Sequence, residues 1–401
     1  MDMSKYPGYK DFVWAIEVNR FGLDLIGLWP TIDKAAKNSY ISDLRVSIIF
    51  IIIAFASGIP FIWSLIRVRS DIMLVMDNLQ VTLTIMAGLL KLIIIRWKQT
   101  ALLSIIKMMA EDWIAFKLDT QRDVMMKWAR TARLIVICGY IVTGFGIIVV
   151  IIPPYFGIPF RRLSNLTDSD KPLPLQTYYF YDTDPSPQFE LTFLIQAITM
   201  FLAAISYTSV DALLGLVILH TCGQLENFKY QLANMIASEN FDSALRNSMI
   251  THVRLIRFTN KIEDIFALLM LGLVLHFGIV FCLHGFLVVS VMTDDQRSDV
   301  SFSRICSVIA GVTVLLAHTF LYCGAGEIMT QHCDAVYHAI YDLEWYKLES
   351  RKSRNLILLM IRAGEPFRIT AGKVIPLTLT TFCSLLKTSV GYISFLLAKC
   401  R

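Results

Sequence analysis

The chain is 401 residues long, 55% hydrophobic and 17% charged, with mean hydropathy +0.58 and a formal net charge of +5. A soluble globular chain carries about 25% charged residues, so the deficit points to a polytopic membrane protein. No dense basic tract argues for nucleic acid. The eight cysteines form no CxxC pair, which argues against both a disulfide framework and a zinc site.

The first segment, 1–45, opens "MDMSKYPGYKDFVWAIEVNR" and lacks the charged and apolar regions of a cleavable signal peptide. A membrane-crossing helix needs about 20 mostly apolar residues. Seven stretches meet that requirement, at 46–65, 76–95, 134–152, 191–219, 265–292, 302–325 and 374–398. The fourth and fifth are longer than a bilayer needs, so their ends are expected to project as helix. The polar segments 97–133, 220–263 and 326–373 show apolar residues at 3–4 spacing and also read as helical. The expected organisation is a single domain over 1–401: a cytoplasmic segment 1–45, six helices over 46–325, and 326–401 holding a cytoplasmic region and the last helix.

Lys and Arg near helix ends stay cytoplasmic. The segments 1–45, 96–133, 220–263 and 326–373 hold 26 of them, and the opposite set holds nine. The N-terminus is therefore expected inside and the C-terminus outside, the reverse of a G-protein-coupled receptor. No DRY or NPxxY motif supports that alternative. The sequon at Asn165 falls in the expected outer loop 153–190 and is a candidate glycosylation site. Lys91 and Lys387 lie inside spans. Asp211 and Glu327, near inner ends, are expected to be paired or to snorkel.

On a wheel of 100° per residue, Thr380, Thr381, Ser384, Thr388, Gly391, Phe395, Ala398 and Lys399 fall within about 60° of one line. Such a face suits a pore, with hydroxyls toward water and one apolar residue where the water column dewets. It equally suits helix packing through small residues. One stripe cannot enclose a water path, so a pore needs several subunits. His332, Cys333, Asp334 and His338 do not share a helical face, so no metal site is expected. No residue set recommends itself as catalytic, and no cofactor is expected.

"LHTCGQLENFKYQL", "HVRLIRFTNKIEDIF" and the run from "YDLEWYKLESRKSRN" to "GYISFLLAK", with Trp345, Arg354, Thr370 and Phe382…Tyr392, resemble the insect odorant receptors. "YYFYDTDPSPQFELTFLIQ" resembles their second outer loop and fourth helix. The resemblance implies an all-α protein of seven transmembrane helices with a cytoplasmic N-terminus. It implies a plasma-membrane subunit of olfactory neurons. That subunit binds small volatile or apolar odorants and opens a non-selective cation channel, usually as a tetramer with a co-receptor. The short 220–263 loop resembles an odorant-tuning subunit, not the co-receptor. A gustatory-type channel is less favoured, because the TYxxxxxQF motif of the last helix is missing. The resemblance favours the pore reading of Thr380, Ser384, Thr388, Gly391, Phe395, Ala398 and Lys399. It also puts the odorant in the outer half of the bundle. Candidate ligand-binding residues there are Met76, Leu79 and Leu83, Thr143 and Ile147, Phe193, Gln196 and Met200, and Phe281 and His284. The aromatic run Tyr178–Tyr181 is read as a pocket lid or an interfacial belt.

Overall fold

The computed structural model describes residues 7–30, 36–115, 118–157, 172–175, 177–235, 240–293 and 302–400. Asn165 lies outside them. Eleven helices account for nearly all of this: α1 (Pro7–Leu25), α2 (Ala36–Ile53), α3 (Ile59–Arg67), α4 (Ile72–Trp97), α5 (Gln99–Ile114), α6 (Asp119–Tyr155), α7 (Gln188–Ala233), α8 (Phe241–Thr293), α9 (Phe302–Tyr341), α10 (Ser350–Ala363) and α11 (Leu379–Cys400). Six spans in the described residues are long and apolar enough to cross a membrane. α11 completes the seven helices of the fold.

Local chemistry explains the breaks. One π turn, Ala54–Gly58, joins α2 to α3. Pro60 has no N–H to donate to the carbonyl four residues back. That carbonyl belongs to Ala56, and the Tyr179 hydroxyl donates to it at 3.3 Å. α4 starts at Asp71, whose carboxylate accepts from the N–H groups of Met73 (2.9 Å) and Leu74 (3.3 Å). α6 ends with Pro153 and Pro154. α7 and α8, at 46 and 53 residues, are far longer than the roughly 30 Å hydrocarbon core requires. Their extra turns leave the bundle at one end, with the last turns of α9 and with α10. This is the anchor end. The α3–α4 and α6–α7 connections mark the loop end.

Two cores follow. The main one joins α1 (Phe12, Leu23), α4 (Leu92, Ile95), α5 (Leu102, Ile105), α7 (Val210, Val217) and α8 (Ile265, Phe266). The second lies at the anchor end, where Leu225 and Phe228 of α7 meet Leu255 of α8, Val336 and Ile340 of α9, and Leu356 and Leu359 of α10. The N-terminal segment is thus tied to the bundle through α1. Its first helix packs in the bundle and ties to α6 through Asp11–Arg122 (2.6 Å) and Glu17–Arg133 (3.2 Å).

The region 326–373 departs from the all-helical expectation, and so does the start of the last span. A two-stranded antiparallel hairpin, β1 (Thr370–Ala371) and β2 (Ile375–Pro376), stands between α10 and α11. Gly372 and Lys373, both at positive φ, make its turn. Gly372 N–H donates to the Ala267 carbonyl at 2.8 Å, which seats the hairpin on α8. Pro376 sits in β2, so the last helix begins at Leu379, five residues later than its apolar run.

Candidate functional site

At the loop end, the connection before α7 is held down by side chains. The buried amide of Gln196 accepts from Leu175 N–H (2.8 Å), and it donates to the Leu175 carbonyl (2.8 Å) and the Tyr179 hydroxyl (2.9 Å). Tyr181 and Thr192 share a hydroxyl hydrogen bond at 2.9 Å. Phe180 packs on Trp63 at 5.5 Å between ring centroids, and Arg67 lies 4.4 Å over the Tyr178 ring. The run as a whole therefore bridges α3 and α7, Tyr179 reaching both the Ala56 carbonyl and Gln196, and forms a roof over this end.

The ten sequence-derived ligand residues do not form one cluster. Met76, Leu79 and Leu83 come together with Leu283 and Phe286 of α8, and Met73 joins them. Phe281 is buried one turn along α8 in the main core. His284 follows on α8, where its Nδ1–H donates to the Val280 carbonyl at 3.1 Å. Gly311 of α9 has no Cβ, and this lets α9 approach that imidazole. Phe193 instead joins Tyr155 (6.0 Å) and Phe189 (6.0 Å). Thr143 shares a hydrogen bond with Thr208 at 3.0 Å across the α6–α7 seam. Ile147 and Met200 are half-buried. Gln196 spends its amide on the roof.

α11 packs on α8 and α9 with Leu385, Leu386, the buried Ser389 and Ile393. Ile393 lies against Gly285 of α8, and the Cys282 Sγ is 3.9 Å from the Ser389 carbonyl. Thr380, Ser384, Thr388, Gly391 and Phe395 are exposed, Phe395 by 66%. Lys387 is exposed beside them. Ala398 and Lys399 lie in the last turn of the helix. Glu327 of α9 stands at the start of α11, where its carboxylate accepts from Leu379 N–H at 3.3 Å. An acid there favours the positive end of the helix dipole.

The expected pairing of Asp211 is observed, but sequence reasoning did not name its partner or the constellation around it. Lys91, in the anchor-side part of α4, is 1% exposed and paired with Asp211 of α7. Its ammonium donates to the Tyr322 hydroxyl of α9 at 3.1 Å and lies 3.0 Å over the Tyr207 ring. His318 of α9 meets the Tyr207 ring at 5.7 Å, and Phe277 meets Tyr322 at 5.9 Å. The signal was a lysine in one apolar span and an aspartate in another. Their separation of 120 positions hid the pairing.

Among the described residues no group of three or more His, Cys, Asp or Glu could hold a metal ion. A family model described as 7tm odorant receptor matches residues 71–390. The chain belongs to this odorant receptor family. Odorant receptor 13a of Drosophila melanogaster is 24% identical over 246 residues, 57% of each chain. Odorant receptor 10 of Aedes albopictus is 27% identical over 219 residues, which cover 53% of this chain and 56% of that one. The chain thus spans a little over half the length of these curated relatives. The structure of the insect olfactory receptor OR5 from Machilis hrabei in complex with eugenol superposes with a TM-score of 0.81 at 15% identity, covering 97% of this chain and 99% of that one. The odorant receptor fold therefore extends over essentially the whole chain.

Proposed function

We propose that this odorant receptor is the odorant-tuning subunit of a ligand-gated, non-selective cation channel, assembled as a tetramer with a co-receptor subunit. The observation that carries the reading is the face of α11 that its own bundle leaves open. Thr380, Ser384, Thr388 and Gly391 lie exposed along it, with Phe395 the large apolar residue at its far end. Hydroxyls tolerate a water column, and a single apolar ring narrows and dewets it. A single chain cannot close such a path, so partner subunits supply the rest.

The Lys/Arg bias orients the bundle. Its anchor end and N-terminus lie in the cytoplasm, and its loop end and C-terminus lie outside. The odorant then enters beneath the aromatic roof, against Met76, Leu79, Leu83, Phe281 and His284. Phe193, Met200, Thr143 and Ile147 form the wall toward α6 and α7, and Gln196 holds the roof. Burying ~250 Å² of a small apolar ligand at ~25 cal/mol/Å² gives about 6 kcal/mol, and ordering reduces it. Micromolar sensitivity or weaker follows. Asn165 would be glycosylated on the same outer side.

Two-electrode recording from cells expressing the chain with and without a co-receptor, across an odorant panel, tests the reading. Eugenol, the ligand of the matched OR5 structure, belongs in that panel. Cation currents that need both subunits and an odorant are the expected result. A response only through a co-expressed G protein would refute it.

A further inference from the structure

Resting on the channel reading above, we propose that Lys91 is a positioning residue for gating. Its pair with Asp211, together with Tyr322, latches α9 against α4 and α7 in the closed channel. His318 takes the place of Tyr322 when the channel opens.

The pair is hard to explain by stability. Lys91 and Asp211 side chains are 1% and 18% exposed. Taking two charges out of water costs several kcal/mol per ion, and well-packed apolar replacements are often neutral or stabilising. The constellation is also incompletely satisfied. Asp211 Oδ2 and His276 Nδ1 are buried and have no hydrogen-bond partner among the described residues. Unsatisfied buried groups are a reservoir of strain.

A second partner waits one turn away. His318 precedes Tyr322 by four residues, about 6 Å along α9 and on the same face. It lies against Tyr207, the ring that Lys91 covers, and within electrostatic reach of both Asp211 and Lys91. His276 is within reach of Lys91 and His318. A slide of α9 toward the anchor end, by up to one turn, would withdraw Tyr322 and bring His318 to the free oxygen of Asp211. Exchange of discrete partners between sliding helices is an established form of switching.

The latch is connected at both ends. α4 and α7 carry candidate ligand residues toward the loop end. α9 carries Glu327, on the first N–H of α11, and Gly326, against Leu377 just before it. A slide of α9 therefore pulls on the first turn of the candidate pore helix.

The test is the ratio of odorant-free to saturating current, at matched surface labelling, in cells co-expressing the co-receptor. Tyr322→Phe keeps the ring and removes the hydroxyl. It should raise the basal fraction about fivefold and lower half-maximal concentrations for every agonist. His318→Phe keeps the contact with Tyr207 and removes the alternative partner. It should act in the opposite sense, raising half-maximal concentrations about fivefold and lowering the maximal current. In a Lys91→Met/Asp211→Leu background, which should reach the surface normally, both effects should vanish. Shifts of the same sign, effects that persist in that background, or a double variant that fails to reach the surface would each overturn the latch and leave the channel reading standing. A wild-type chain with no odorant-gated current would overturn both.

Discussion

Gln196 shows how far a single residue can be read from sequence. A glutamine in an apolar span promises a polar contact, and the ligand is the natural guess. The structure gives that contact to the backbone of Leu175 and to Tyr179, because a connecting segment folds back onto α7. Replacing Gln196 by Leu strips the buried Leu175 N–H and C=O of their partners, and each buried orphan costs about 1–3 kcal/mol. The roof should loosen while the bundle stays folded. A Thr177→Cys reporter, whose parent residue is 1% exposed, should resist a membrane-impermeant thiol reagent in the wild-type background and react in Gln196→Leu. Equal protection in both would mean that the roof is held elsewhere. Lys91 and Asp211 taught the same lesson. Each was visible as a charge within an apolar run, but helix pairing made them partners, and pairing is not written at either position.

At the scale of the element, the spans were legible because the bilayer demands about 20 apolar residues and leaves little alternative. What escaped was the punctuation. The hairpin at 370–376 is too short to show a period, and Pro376 delays α11 inside a run that hydropathy reads as continuous. α1 escaped because it is mixed in polarity, yet it buries Phe12 and Leu23 against the bundle. The wheel of α11 separates most of its hydroxyls from the packing side, although Ser389 is buried there and Val390 is 62% exposed. That separation yields a paired prediction. Phe395→Ser replaces an exposed ring on the hydroxyl stripe and should favour wetting of the closed pore, raising current without odorant or altering ion selectivity. Ile393→Ser removes a side chain packed on Gly285 and should lower surface expression without opening the channel. Basal conductance at matched surface labelling compares them. Equal behaviour of the two variants would make the stripe a packing face.

For the whole molecule, the decisive quantities are where apolar surface remains and on which side the cations lie. Leu134, Ile141, Phe145, Ile148 and Ile152 of α6 are large, apolar and exposed, and the apolar window of that helix is only 6% buried. A contiguous apolar surface of this kind marks a lipid contact. It does not say which end faces the cytoplasm, because apolar surface is blind to direction. In the proposed orientation, the 26 to nine division of Lys and Arg supplies the direction. It is also visible on the folded chain, where Arg122, Arg254, Arg362 and Lys373 crowd the anchor end. Lys399 and Arg401 oppose the trend, but short helix-end charges act collectively, and two on a final turn are outweighed by the rest. An epitope placed after Arg401 should therefore label on intact cells, and one placed before Met1 should label only after permeabilisation. The fold makes the two outcomes interdependent, since seven crossings must put the termini on opposite sides. Labelling of both termini on intact cells would break the seven-helix count. The reversed pattern would keep the count but turn the aromatic roof toward the cytoplasm, and the route by which an external odorant reaches Met76 and His284 would be lost with it.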